Sequence, residues 1–421
     1  MSAAVEQWRS ALPEGLAARA VRVATEIAER VRTPVAIGTS DHDVIETAVG
    51  IALLHGQLDR HRPDQGWDRA AHAQLAHAAA AAESSGTGPP GLFGGTGGLA
   101  FAAWSLSRGG ERYRRLIAAL DRDVITGLTA RAELLSESPV GPPSYLIDVI
   151  NGLAGSGGYL LRRRETEALR PVLAALVAVS GAEDGLPHWH IPQRSLIAGA
   201  ALPGRYPDGY LDCGLAHGVA GPMVLLALAL RAGIEVAGQR DAVERMARWL
   251  VAQRVDDAWG VNWPSAVELG GDRAEPTHAA WCYGSPGVAR ALWLAGAALE
   301  DGALQELAVS AMKAVHTRPP EARRVDRSPG LCHGIAGLLE ITLRFAHDTG
   351  DPAFTEAAAP LTEQLLAMYE PNRPFGYYAL DDKGAKVDQS GLLDGAAGVA
   401  LALLTAGTGV EPGWDGMLLL S

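Results

Sequence analysis

Along this chain, stretches that are apolar nearly all round alternate with amphipathic, charged ones. VLLALAL from Val224 and GVALALL from Gly398 are of the first kind, the pattern of a helix buried on every side. QRDAVERMARWLVAQR from Gln239 is of the second: Val243, Met246 and Leu250 fall on one helical stripe, with Arg and Glu opposite. Such a stripe belongs to an outer helix with one face on a core. Strand signals are weak throughout, so the pattern predicts an all-α fold of alternating inner and outer helices.

The apolar stretches share a preface. GLFGGTGGLAFA from Gly91, NGLAGSGGYLL from Asn151, GLAHGVAGPMVLL from Gly214, CYGSPGVARALWL from Cys282, LCHGIAGLLEI from Leu331 and GLLDGAAGVALAL from Gly391 each carry a Gly-x-x-Gly pair before an apolar run. The first glycines are Gly95, Gly152, Gly218, Gly284, Gly334 and Gly395, separated by 50 to 66 residues. That period holds two helices and their loops. A degenerate seventh unit comes first, at SDHDVIETAVGIALLHG from Ser40, with Thr47 and Gly50 at the pair. Helical hairpins stacked side by side bury one another's faces, and in a closed ring every inner helix points the same way. Residues just before each glycine pair then share one rim. The expected architecture is a single domain over 1–421, an α/α toroid of about seven helical hairpins with its repeat core at about 40–405.

Composition narrows the function. Hydrophobic residues are 48% of the chain and charged residues 20%, ordinary for a protein with a large buried core. A formal net charge of −12 disfavours nucleic acid as a partner, because phosphate neutralisation needs a Lys/Arg surplus. No run reaches the ~18 consecutive apolar residues of a membrane span. The opening MSAAVEQWRSALPEGL has no basic segment leading into an apolar one, so no secretory signal is read and a cytoplasmic location is expected. Three cysteines, Cys213, Cys282 and Cys332, are an odd and sparse set that suits metal binding or catalysis better than a disulfide framework.

The rim positions carry the candidate chemistry. Cys282 is two before Gly284, Cys332 two before Gly334, and His333 one before Gly334. Two thiolates and an imidazole are a soft zinc set, and three ligands leave a tetrahedral position open; the bland alternative is two small buried hydrophobes and a helix-start histidine. His217, one before Gly218, is a fourth ligand, a separate acid/base group, or simply a helix-terminal histidine satisfied by backbone. Asp148, four before Gly152, either assists His217 or caps a helix. Tyr283 either donates to a developing negative charge or packs. Asp394, one before Gly395, reads as a helix cap, Cys213 as packing, and the His188/His190 pair as an ordinary loop. Acidic pairs in VDDAWG from Val255 and LDDKG from Leu380 fit a metal-free α/α barrel working with paired carboxylates, but neither lies at the shared rim.

WCYG at Trp281–Gly284, LCHG at Leu331–Gly334 and GLAHG at Gly214–Gly218, together with six Gly-x-x-Gly repeats, resemble the LanC family of lanthionine synthetases over nearly the whole chain. The resemblance implies a seven-hairpin toroid, one Zn²⁺ per chain on Cys282, Cys332 and His333, and catalysis involving His217, Asp148 and Tyr283. It implies a cyclase that adds Cys thiolates of a dehydrated precursor peptide to dehydroalanine or dehydrobutyrine, forming lanthionine thioether rings. The implied partners are that peptide, a separate dehydratase and export machinery. The sequence departs from the family at His278, where many members have Arg. The rival within the resemblance is a LanC-like enzyme that adds glutathione to dehydroamino acids in proteins.

Overall fold

The computed structural model describes residues 8–34, 40–84, 89–195, 205–271, 274–381 and 383–421. Among them are fourteen helices of ten residues or more: α1 Glu14–Arg30, α2 Asp41–His61, α3 Trp67–Ser84, α4 Thr96–Ser105, α5 Arg114–Glu137, α6 Leu153–Arg163, α7 Thr166–Val179, α8 Ala220–Arg231, α9 Gln239–Ala252, α10 Ser285–Leu299, α11 Gly302–Thr317, α12 Ile335–Thr349, α13 Pro352–Ala367 and α14 Ala396–Gly407. Each even-numbered helix from α4 to α14 begins between the two glycines of a Gly-x-x-Gly pair, whereas the degenerate pair, Thr47 and Gly50, lies inside α2. As their composition requires, the even-numbered helices are buried nearly all round: in α14 every residue from Ala396 to Ala406 is buried. The odd-numbered helices bury one face. In α9, Val243, Met246 and Leu250 are buried while Asp241, Glu244 and Arg248 are exposed.

Contacts divide the chain into two compact units, one within 1–87, 102–114 and 319–415, the other within 88–101, 115–318 and 416–421. In the first, α14 packs against α12 and α2, while α1 lies along α14, α3 along α2 and α13 along α12. In the second, α8 packs against α6 and α10, and α7, α9 and α11 lie along α6, α8 and α10. Among the described residues, strands are two or three residues long and form two-stranded ladders. One matters to the site: Tyr210–Asp212 pairs antiparallel with Ala266–Glu268 and fixes the backbone at Asp212.

The glycine pairs explain how the rim is made. The loop leading into each inner helix folds back over that helix's first turn. A Cβ at Gly98, Gly155, Gly287, Gly337 or Gly398 would lie 1.9 to 2.2 Å from the carbonyl oxygen of the residue six positions earlier, a distance no side chain survives. Without that Cβ, the loop backbone closes on the helix, as where Gly155 N donates to Asp148 O and Gly287 N to Ala280 O, both at 3.2 Å. The loops so held bond to their neighbours in turn. Val149 N donates to Ala216 O at 3.0 Å, Leu215 N to Cys282 O at 2.9 Å, and Leu331 N and Cys332 N to Leu393 O at 2.7 and 2.9 Å. Within each unit the rim is therefore a run of backbone hydrogen bonds from one repeat to the next, which satisfies polar groups the apolar helices could not.

This arrangement makes the glycines unequal. Gly337→Ala should destabilise the protein by about 3 kcal/mol, the upper end of overpacking costs, because the obstacle is the Leu331 backbone carbonyl. Gly302→Ala, at the start of α11 with nothing within 4 Å of the added carbon, should be neutral or slightly stabilising. Urea unfolding of the two variants checks this; equal effects would contradict it.

Candidate active site and metal centre

In the second unit the site is built around two buried carboxylates. Asp148 ends a short helical turn, Ser144–Ile147, just before α6. Its Oδ1 accepts from the backbone N–H groups of Asn151 and Gly152 at 2.7 and 2.8 Å, and its Oδ2 lies 2.7 Å from His217 Nδ1. One oxygen of Asp148 thus serves the loop amides ahead of α6 and the other the imidazole. A carboxylate acceptor at Nδ1 requires the proton there, which leaves Nε2 for chemistry. Burial pulls the His217 pKa down, but the hydrogen bond and charge of Asp148, followed by the charge of Asp212, outweigh it and hold the ring above its ordinary 6.5. The side chain keeps 41% of its surface exposed, so a substrate can reach it.

The second carboxylate, Asp212, is a residue the sequence reading passes over. Its Oδ1 accepts from Gly214 N at 2.8 Å and its Oδ2 from the Tyr283 hydroxyl at 3.1 Å. Burial pushes its pKa up to about 6, with the Gly214 amide, the charge of His217 and the Tyr283 hydroxyl pulling the other way. Burial, then the charge of Asp212, drives the Tyr283 phenol upward as well, so Tyr283 stays a neutral donor. The one available signal was its place at the head of DCGLAHG, two residues before Gly214. The short ladder that aims it inward has no legible alternation.

Cys213 is wholly buried with its thiol pushed up by burial, which makes it inert packing. His188 Nδ1 and His190 Nδ1 lie 3.1 and 2.8 Å from the carbonyls of Ala178 and Pro187, an ordinary loop role. The acidic pairs serve structure too. Asp257 accepts from Arg318 at 2.8 Å and from Asn262, and Asp381 accepts from the amides of Lys383 and Ala385 in a turn. His278 lies closer to the chemistry: its Nε2 is 4.0 Å from Cys282 Sγ and its ring meets Tyr283 edge-on.

In the first unit, Cys332 is held by its amide on Leu393 O, and His333 directly precedes the Gly334 that begins α12. His333 Nδ1 lies 3.6 Å from Asp394 Oδ1. Asp394 is not the cap that the sequence suggests. The first amides of α14, at Ala396 and Ala397, are already taken by the carbonyls of Gln389 and Ser390, and Gly395 makes no side-chain cap.

Among the described residues, Cys282, Cys332 and His333 form a group of side chains that could hold a metal ion. The fit rests on donor chemistry. Two sulfurs and one imidazole are the soft, borderline set that favours Zn²⁺ over the oxygen-seeking Mg²⁺ or Ca²⁺.

With the geometry in view, the comparisons define first a class of protein. The fold matches the solved structure of a nisin cyclase over 97% of this chain and 98% of that one, with a TM-score of 0.79 at 21% identity. The all-α, α/α toroid class expected from the repeats is thereby borne out. A family model described as Lanthionine synthetase C-like protein matches residues 39–419, and the chain belongs to that family. A curated relative, the nisin biosynthesis protein NisC of Lactococcus lactis subsp. lactis, is 25% identical over 325 residues, covering 74% of this chain and 72% of the relative. Among the described residues no helix is long and apolar enough to cross a membrane.

The His217–Asp148 contact has a measurable signature. Asp148→Asn removes the two largest influences that raise the imidazole pKa and leaves burial, which lowers it. NMR titration should show His217 shifting downward from above 6.5. In the wild type, the stability this pair contributes is fully present below about pH 6.5 and lost as pH rises through the raised folded value; the variant should lose that dependence. An unshifted His217 would contradict the account.

Proposed function

We propose that this chain is a zinc-dependent cyclase. Its substrate would be a precursor peptide dehydrated beforehand by a separate enzyme, and its product the (methyl)lanthionine thioether rings of a lanthipeptide, made in the cytoplasm. The observation that carries the reading is the exposed imidazole of His217 held by buried Asp148, in a family member whose Cys282, Cys332 and His333 form a zinc-type donor set. Zn²⁺ held by those three residues would supply Lewis acidity, lowering the pKa of a peptide thiol from its ordinary ~8.5 into the working range.

The reaction needs two proton events around one new bond. The thiol gives up its proton, and sulfur bonds to the β-carbon of a dehydroalanine or dehydrobutyrine. The double-bond electrons then move to the α-carbon, which must take a proton. His217 is suited to that second event, because Asp148 favours its charged form and fixes Nδ1–H so that Nε2–H is the proton delivered. Tyr283 remains neutral and donates a hydrogen bond from its hydroxyl to Asp212, so in this reading it shapes the wall of the site and holds Asp212 in place. His278, beside Cys282, occupies the position of the family's arginine without its permanent charge.

His217→Asn separates proton transfer from metal binding. The variant should keep its zinc and lose ring formation by about 10²- to 10⁴-fold, the usual range for a positioned acid, as read by mass spectrometry of a dehydrated peptide with its free thiols counted. Loss of the metal instead would make His217 a ligand and overturn the assignment. Consumption of an external thiol such as glutathione, with the peptide cysteines left free, would favour the glutathione-adding rival.

A further inference from the structure

The residue immediately before each glycine pair follows a pattern that the metal and acid/base roles do not exhaust. In the second unit, the carbonyl of Ala216 accepts from Val149 N while the next residue, His217, reaches the carboxylate of Asp148 in the preceding repeat. One repeat later, the carbonyl of Cys282 accepts from Leu215 N while the next residue, Tyr283, reaches the carboxylate of Asp212. Each rim loop thus holds its predecessor twice, once by a backbone carbonyl and once by the side chain that follows it.

The first unit repeats the device with the polarity reversed. The carbonyl of Leu393 accepts from Leu331 N and Cys332 N, and the next residue, Asp394, presents Oδ1 at 3.6 Å from Nδ1 of His333. Two consecutive residues of the last repeat therefore address two consecutive residues of the one before, which are the two metal ligands of this unit. The close fit is built in: a Cβ on Gly330 would lie 3.1 Å from the Asp394 Cα.

We infer that Asp394 is a positioning residue for the metal site, its carboxylate orienting the His333 imidazole with Nδ1 protonated so that Nε2 is presented to the metal. The inference rests on the reading of His333 as a ligand. At 3.6 Å the contact is longer than a hydrogen bond, and both side chains are partly exposed, at 45% and 37%, so its effect on overall stability is small. Its effect on the ligand is not. A carboxylate behind a ligating histidine fixes the ring's tautomer and direction and raises its basicity. In the degenerate first repeat the residue one before Thr47 is Glu46, which lies inside α2 rather than ahead of it.

The test is zinc affinity by chelator competition on the full-length protein, for the wild type, Asp394→Ala and Asp394→Asn, with thermal melts of the metal-free forms as the folding control. Asp394→Ala should bind zinc at least about tenfold more weakly, as expected for loss of an outer partner, and the isosteric Asp394→Asn should fall between. Nitrogen NMR of the zinc-loaded proteins should show the His333 Nδ1 protonated in the wild type and mixed tautomers in Asp394→Ala. Unchanged affinity and an unchanged tautomer in both variants would overturn the inference while leaving the metal site intact. A wild type that binds no zinc would overturn the metal reading itself.

Discussion

The structure depends on a close approach that only glycine permits. Where the second glycine of each pair meets the carbonyl oxygen six residues earlier, at Gly155 against Val149 or Gly337 against Leu331, the loop closes on the helix and its free amides turn to the neighbouring loop. The apolar inner helices supply burial but no specificity, because residues such as Ala and Leu in α14 pack in many registers. The backbone hydrogen bonds from Val149 to Ala216, from Leu215 to Cys282 and from Cys332 to Leu393 select one register, and with it the height at which each rim side chain sits. The cysteines and histidines are therefore placed by main-chain geometry, which substitution of surface residues leaves untouched.

Electrostatics then sets what those side chains can do. Asp148 and Asp212 are both nearly inaccessible, and a buried carboxylate without partners would be costly. Each is satisfied by a backbone amide on one oxygen and by a donor from the next repeat on the other. The outcomes differ with the donor. Against Asp148 the imidazole of His217 gains charge, while against Asp212 the phenol of Tyr283 is pinned in its neutral form. One structural device thus favours the charged form of an imidazole and the neutral form of a hydroxyl.

Much of this was legible before any coordinates. The period of the glycine pairs pointed to the inner helices and where they begin, and the apolar-all-round runs told inner from outer. Equivalence of position within the repeat singled out Cys282, Cys332, His333 and His217. What the sequence hid is equally specific. Asp212 lies six residues before its glycine and owes its direction to a three-residue strand paired with Ala266–Glu268, a pairing too short and too distant in sequence to leave a periodic trace. Asp394 looked like a helix cap because aspartate before a helix usually is one. Only the structure shows that backbone carbonyls of Gln389 and Ser390 already occupy the amides it would have capped.

The central claim is that Cys282, Cys332 and His333 act together on one zinc ion. Elemental analysis of freshly purified protein tests it most directly, comparing the wild type with Cys282→Ala and Cys332→Ala, all shown to be folded by circular dichroism. The account predicts about one zinc per wild-type chain and its loss in both variants. Folded wild-type protein without zinc, or variants that retain it fully, would contradict the account and leave the thiol chemistry without its metal.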